Sequence, residues 1–199
     1  METIKIIEFL GMIMSMTGAL YMSRSVLDDE NTMFKAGVAF LVANVLMFIV
    51  AIANGLGALA IQMTLFYSSS VIVIMSHTKN KELSKKYLIA ISITLFFILA
   101  FNINSINWNN FSNNPIEIAS AIMAITGSFM LKTHNNNIKI QAFLLFLFAD
   151  IGYAYIGYEK GMYFFMIQAM FFWYTSIRGI KNMLHEKELY TQRILDLKI

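Results

Sequence analysis

The sequence predicts an all-α polytopic membrane protein with seven transmembrane helices, arranged as two parallel three-helix repeats joined by an inverting fourth helix. Three observations predict it: long apolar runs, basic residues confined to alternate gaps between them, and an internal repeat. Of 199 residues, 58% are hydrophobic and only 14% charged, with a mean hydropathy of +0.62. A soluble domain carries about a quarter charged residues, and its amphipathic helices break their apolar stripes every few residues.

The apolar runs are Ile6–Met22, Ala36–Ala53, Leu56–Ser76, Tyr87–Asn104, Ile116–Leu131, Ile140–Gly157 and Met162–Ile177. Each is long enough to cross roughly 30 Å of hydrocarbon as a helix. Helices are expected because lipid offers no partner to an open backbone N–H or C=O. Barrel strands would alternate every second residue, which these runs do not. The first run has one Lys in front and no A-x-A-like site behind, so it is expected to remain as a span rather than be cleaved. The segment Lys181–Ile199 mixes charge with Leu and Ile, and reads as a separate short helix near the headgroups. Asn102–Asn114, rich in Asn, reads as an external loop. The organisation expected is therefore residues 1–78 as the first unit, 79–113 as linker helix and outer loop, 114–180 as the second unit and 181–199 as a cytoplasmic tail.

Orientation follows from Lys and Arg. With seven spans, Lys5 and Lys160 fall on one side, and the other 13 basic residues fall on the opposite side. The positive-inside rule then places the N-terminus outside and the C-terminus in the cytoplasm. The basic pI of about 9.0 thus reflects topology, and nucleic acid is not an expected partner. Cysteine is absent from this sequence, which removes disulfides and thiolate chemistry.

Sliding the chain by 109 residues lays Ile7, Glu8, Ile13, Met14, Thr17 and Gly18 on Ile116, Glu117, Ile122, Met123, Thr126 and Gly127. Sliding it by 106 lays Gly55, Ile61, Gln62, Phe66, Ser70 and Ile74 on Gly161, Ile167, Gln168, Phe172, Ser176 and Ile180, and Asn44 on Asp150. Ile and Met recur cheaply in apolar runs. Glu, Gln, Gly and Thr do not.

Polar residues inside the spans are the candidates for function. Asp150 lies 11 residues beyond Lys139, about 16 Å along a helix. A carboxylate at that depth costs about 2.5–3.5 kcal/mol on insertion scales, so it must be paired, protonated or wet. Asn44 holds the matching position in the other unit. Gln62 and Gln168 carry amides, which serve polyols, ribose and carboxamides without burying charge. Around them stand Phe66, Tyr67, Phe172, Trp173 and Tyr174, and beyond those Ser68, Ser69, Ser70, Thr175 and Ser176. Trp173 and Tyr174 are the stacking candidates for a small ring-bearing ligand. Glu8 and Glu117 read as structural: Asn114-Pro115-Ile116-Glu117 is an N-cap, Pro at the first position and Glu at the third. His77, His134 and His185 fall in gaps between spans, and neither HExxH nor G-x-S-x-G occurs. Neither an enzyme, a metal site nor a cofactor is expected.

From Asn114 to Met183 the chain resembles the bacterial inner-membrane YgjV family, through Pro115-Ile116-Glu117, the Gly161 turn and Ile177-Arg178. That family has no settled activity, but the resemblance implies an inner (plasma) membrane location. The 3+1+3 plan and the Asn44…Gln62…Phe66 spacing resemble the PnuC-type vitamin transporters, which take up nicotinamide riboside and share their plan with the SWEET sugar transporters. Ser69 stands where the PnuC pattern has Asn, and Val71, Ile72 and Val73 replace its Tyr-Gly-Trp. The resemblance implies passage of a small polar or ring-bearing solute, downhill or proton-linked, with contacts from Asn44, Gln62, Ser69, Asp150, Gln168, Trp173 and Tyr174. The alternative is a non-transporting scaffold or regulatory partner. The bilayer and a small-molecule solute are the partners expected, with self-association into a homo-oligomer left open.

Overall fold

The computed structural model describes residues 2–24, 30–76, 114–131 and 135–196, and in them six helices and no strand. They are α1 (Glu2–Arg24), α2 (Glu30–Ala53), α3 (Gly57–Ser76), α4 (Pro115–Met130), α5 (Asn136–Glu159) and α6 (Tyr163–Asp196). The expected span Tyr87–Asn104 and most of the Asn-rich loop lie outside the described residues.

Four segments, Glu2–Tyr21, Asn31–Ala53, Gly57–Met75 and Asn136–Glu159, are long and apolar enough to cross a bilayer. At 19 to 24 residues each, they span about 28–36 Å. α4 is apolar but has only 16 residues. α6 corrects an expectation. It runs for 34 residues without a break, about 51 Å, so the charged tail continues the last helix. No Pro or Gly interrupts the sequence between Ile180 and Asp196, which leaves the backbone no reason to stop.

Contacts run round a closed circuit. α2 packs on α1 and α3, α5 packs on α4 and α6, and the circuit closes through α1 against α6 and α3 against α4. The buried apolar core draws on α2 through α6 and lies toward the two short turns, with Met47, Val50, Leu56, Leu59, Tyr153, Ile156, Met162 and Phe165 at its centre. Large apolar side chains such as Ile61, Ile72, Ile122, Phe148 and Met170 face outward, as helices bathed in lipid require.

The two triplets, α1–α3 and α4–α6, repeat each other in detail. Gly55 and Gly161 both take positive φ, 69° and 66°. The turns around them close identically: Leu56 N–H donates to Ala51 C=O and Met162 N–H to Gly157 C=O, each at 2.8 Å. That is a Schellman closure, with glycine where a Cβ would be strained. Gly18 and Gly127 each seat a phenylalanine ring from the next helix; a Cβ there would lie 3.0 Å from Phe40 or 3.3 Å from Phe146. Those rings are themselves repeat mates.

Elsewhere the repeat keeps the space and exchanges its supplier. At one crossing Gly11 of α1 receives Leu46 and Met47 of α2, whereas in the second triplet Gly152 of α5 receives Ser120 of α4. At another, Gly37 of α2 faces Val73 and Ile74 of α3, whereas Gly179 of α6 faces Phe143 of α5. A close approach needs one small residue, and either helix can provide it.

Two carboxylates bind the triplets together. Phe165 N–H, at the third position of α6, donates to Glu8 Oε1 of α1 at 2.8 Å. Leu59 N–H, at the third position of α3, donates to Glu117 Oε1 of α4 at 3.1 Å. Leu59 and Phe165 are repeat mates, as are the two glutamates, so each triplet caps a helix of the other. The first N–H groups of a helix have no partner of their own and carry partial positive charge, which a carboxylate satisfies. Asn114 caps α4, its side chain accepting from Ile116 N–H at 2.9 Å. Glu117 thus does more than the local cap that its motif predicts. Phe9 and Phe164 meet edge-on at 5.1 Å beside the Glu8 contact.

Glu8→Ala and Glu117→Ala are each expected to lower stability by about 1–3 kcal/mol, because each leaves a buried N–H open. Gln at either position keeps an acceptor oxygen and should restore more than half of the loss in thermal unfolding of the purified protein in detergent. Gly161→Ala should cost about 1 kcal/mol through its positive φ alone, since a Cβ there meets nothing within 4 Å.

Candidate functional site

A layer of polar side chains lies inside the circuit, all of them on repeat registers. Asn44 and Asp150 sit ten residues before Asn54 and Lys160, about 15 Å from the turns. Both are 7% exposed. Gln62 with Gln168 and Ser70 with Ser176 are likewise buried pairs. These polar side chains face the interior of the circuit, as polar groups in bilayer helices do.

In the first triplet these groups are bonded. Asn44 Nδ2 donates to Ser70 Oγ at 3.2 Å, and the Ser70 hydroxyl donates to Phe66 C=O at 2.9 Å. The Tyr153 hydroxyl of α5 donates to Gln62 Oε1 of α3, a link between triplets. Tyr153 also packs on Phe165 with ring centroids 5.6 Å apart, and lies within electrostatic reach of both Glu117 and Asp150.

In the second triplet the same registers stand open. Asp150 Oδ2 and Gln168 Oε1 are buried with no hydrogen-bond partner among the described residues. Two substitutions across the repeat coincide with this. Met47 occupies the register of Tyr153, so Gln168 has no phenol to accept from. Asp150 replaces Asn44: a carboxylate without a proton can accept from Ser176 but cannot donate to it as Asn44 donates to Ser70, and among the described residues no hydrogen bond joins Asp150 to Ser176.

The sequence-predicted residues divide accordingly. Asn44, Gln62, Asp150 and Gln168 are buried inside the circuit. Ser69 is half-buried, and its neighbour Ser70 makes the contact with Asn44. Trp173 and Tyr174 are 41% and 58% exposed, five and six residues beyond Gln168 on α6. At 100° per residue they lie on flanks turned away from it, so the structure does not bring them to the polar layer. Tyr153 escaped the sequence reading because its repeat mate is Met47. Its one signal was helical spacing, three residues past Asp150 on the same face. Among the described residues no three His, Asp or Glu gather as a metal site.

Comparison with known protein families, with curated proteins and with solved structures finds no match.

Tyr153→Phe removes the hydroxyl that donates to Gln62 and is expected to destabilise the fold by about 1 kcal/mol. Tyr153→Phe combined with Gln62→Leu, which removes both polar groups, should recover stability in the same melting assay.

Proposed function

We propose that the chain is a carrier for a small polar or ring-bearing solute, with seven spans in a 3+1+3 layout and the solute passing between the two triplets. One observation carries this. Six polar side chains at matching registers of two equivalent units converge on the interior, and two of them hold buried atoms with no partner. Interior polar groups in a bilayer are costly, and they mark solute or ion pathways where they are left open. A site at the interface of parallel repeats about mid-depth is a known transporter plan. It also agrees with the resemblance to PnuC-type and SWEET transporters.

In this reading the span Tyr87–Asn104 inverts the chain so that both triplets begin outside. The N-terminus faces outward and the C-terminus faces the cytoplasm of a bacterial cell. The turn end, filled by Leu56, Leu59, Met162 and Phe165, is then the outer gate in its closed state. Passage is downhill, or proton-linked through Asp150. Asn44, Gln62, Asp150 and Gln168 contact the solute. Trp173 and Tyr174, on the outer flanks of α6, face lipid.

The rival is a scaffold without transport. It draws on the Asn44–Ser70 and Gln62–Tyr153 bonds, which could serve only as adhesion between helices. It gives no use to the open atoms of Asp150 and Gln168.

Topology is testable without background labelling, because the sequence has no cysteine. Single cysteines at Lys5 and Lys160 should react with an impermeant maleimide in intact cells, and those at Lys139 and Lys181 only after permeabilisation. Reversal of that pattern would remove the proposed orientation. For transport, purified protein in liposomes should admit at least one member of a panel of vitamins, nucleosides, sugars and amines. Asp150→Asn should reduce that flux at least tenfold while the protein still inserts and folds.

A further inference from the structure

The two triplets share a frame but not their polar chemistry, and the difference points to the solute. In the first triplet the two matching registers are closed within the protein: Asn44 by Ser70, and Gln62 by Tyr153. In the second, Asp150 and Gln168 each present a buried oxygen with nothing bonded to it. Both open atoms are acceptors. What complements them must bring N–H or O–H groups.

Charge narrows the class. Asp150 brings a carboxylate to the interior, and no described Lys, Arg or His is buried with it. An unpaired buried carboxylate is costly, and a cation beside it offsets that cost through both charge and hydrogen bonding. The open register is also the one where an amide is exchanged for a carboxylate. Asn44 can donate to a serine oxygen that is already committed to a backbone carbonyl, and Asp150 cannot. The open oxygen thus stands at the register where the two triplets differ by a charge.

We infer that the solute carries a cationic nitrogen bearing N–H groups, and that the second triplet reads it through Asp150 and Gln168 while the first supplies a closed wall. This rests on the transport reading above and departs from the neutral solute that the glutamines alone suggest. It assigns unequal work to equivalent positions. Losing Asn44 should loosen the packing, whereas losing Asp150 should remove the attraction for the cation.

The experiment has two arms on the full-length protein. The first is ligand-free melting of Asp150→Asn in detergent. An amide at this register can donate to Ser176 as Asn44 does to Ser70, so the variant should melt at or above the wild-type temperature. A lower melting temperature would show that Asp150 already has a partner, and would overturn the inference. The second arm is uptake into proteoliposomes of matched pairs in which an ammonium replaces a hydroxyl, such as glucosamine against glucose and ethanolamine against ethylene glycol. At least one ammonium member should enter tenfold faster than its neutral mate, and both Asp150→Asn and Gln168→Met should erase that preference. Uptake confined to neutral members, or a preference that survives Asp150→Asn, overturns the inference and leaves the carrier reading standing. So does a variant that loses only accumulation driven by a proton gradient, which would make Asp150 a proton site. Folded protein that admits no member of this or the wider panel overturns both.

Discussion

A helix whose first turn is buried against apolar side chains has N–H groups that neither water nor its own backbone can satisfy. α3 and α6 both begin this way, immediately after a tight glycine turn, and each is closed by a glutamate from the opposite triplet. The exchange makes the halves depend on each other. Neither triplet can leave without exposing a carboxylate and a helix start together. The closed circuit of helices, the core gathered at the turn end and the burial of the polar layer all follow from holding these two starts side by side.

Within that frame the repeat tolerates divergence in which helix supplies the small residue at a crossing. Glycine moves from α1 to α5 at one crossing and from α2 to α6 at another, so each crossing keeps one residue without a side chain. Polar positions obey a different rule. An exchange of Asn for Asp, or of Tyr for Met, leaves the position buried but changes which partner atoms exist. Packing therefore stays symmetric while hydrogen bonding does not. The asymmetry places both open acceptors on one side of the interior, and a fold that is nearly two copies of one unit acquires a single direction of chemical preference.

Much of this was legible in the sequence because apolar length, glycine and glutamate leave strong local signals. Offsets of 109 and 106 identified the equivalent helices, the turn glycines and all four central polar residues. The reading went astray where a helix face or a stopping point decided the matter. Trp173 and Tyr174 looked like ligand walls by proximity in sequence, yet their angular positions carry them round α6 to the outside. The charged tail looked like a new element, yet charge does not end a helix when the backbone has no reason to turn. Tyr153 stayed hidden because a repeat comparison finds what is kept, and its importance comes from what its mate lacks.

The sequence by itself determined the all-helical class, the pairing of equivalent registers and which residues would be expensive to bury. Those properties depend on side-chain chemistry and spacing along one chain. Only the tertiary structure decided that Glu8 and Glu117 cross between triplets, that Tyr153 reaches Gln62, and that Asp150 and Gln168 are left open. Each of those is a meeting of atoms separated by tens of residues, and whether a donor finds an acceptor depends on helix rotation and packing that no linear spacing records.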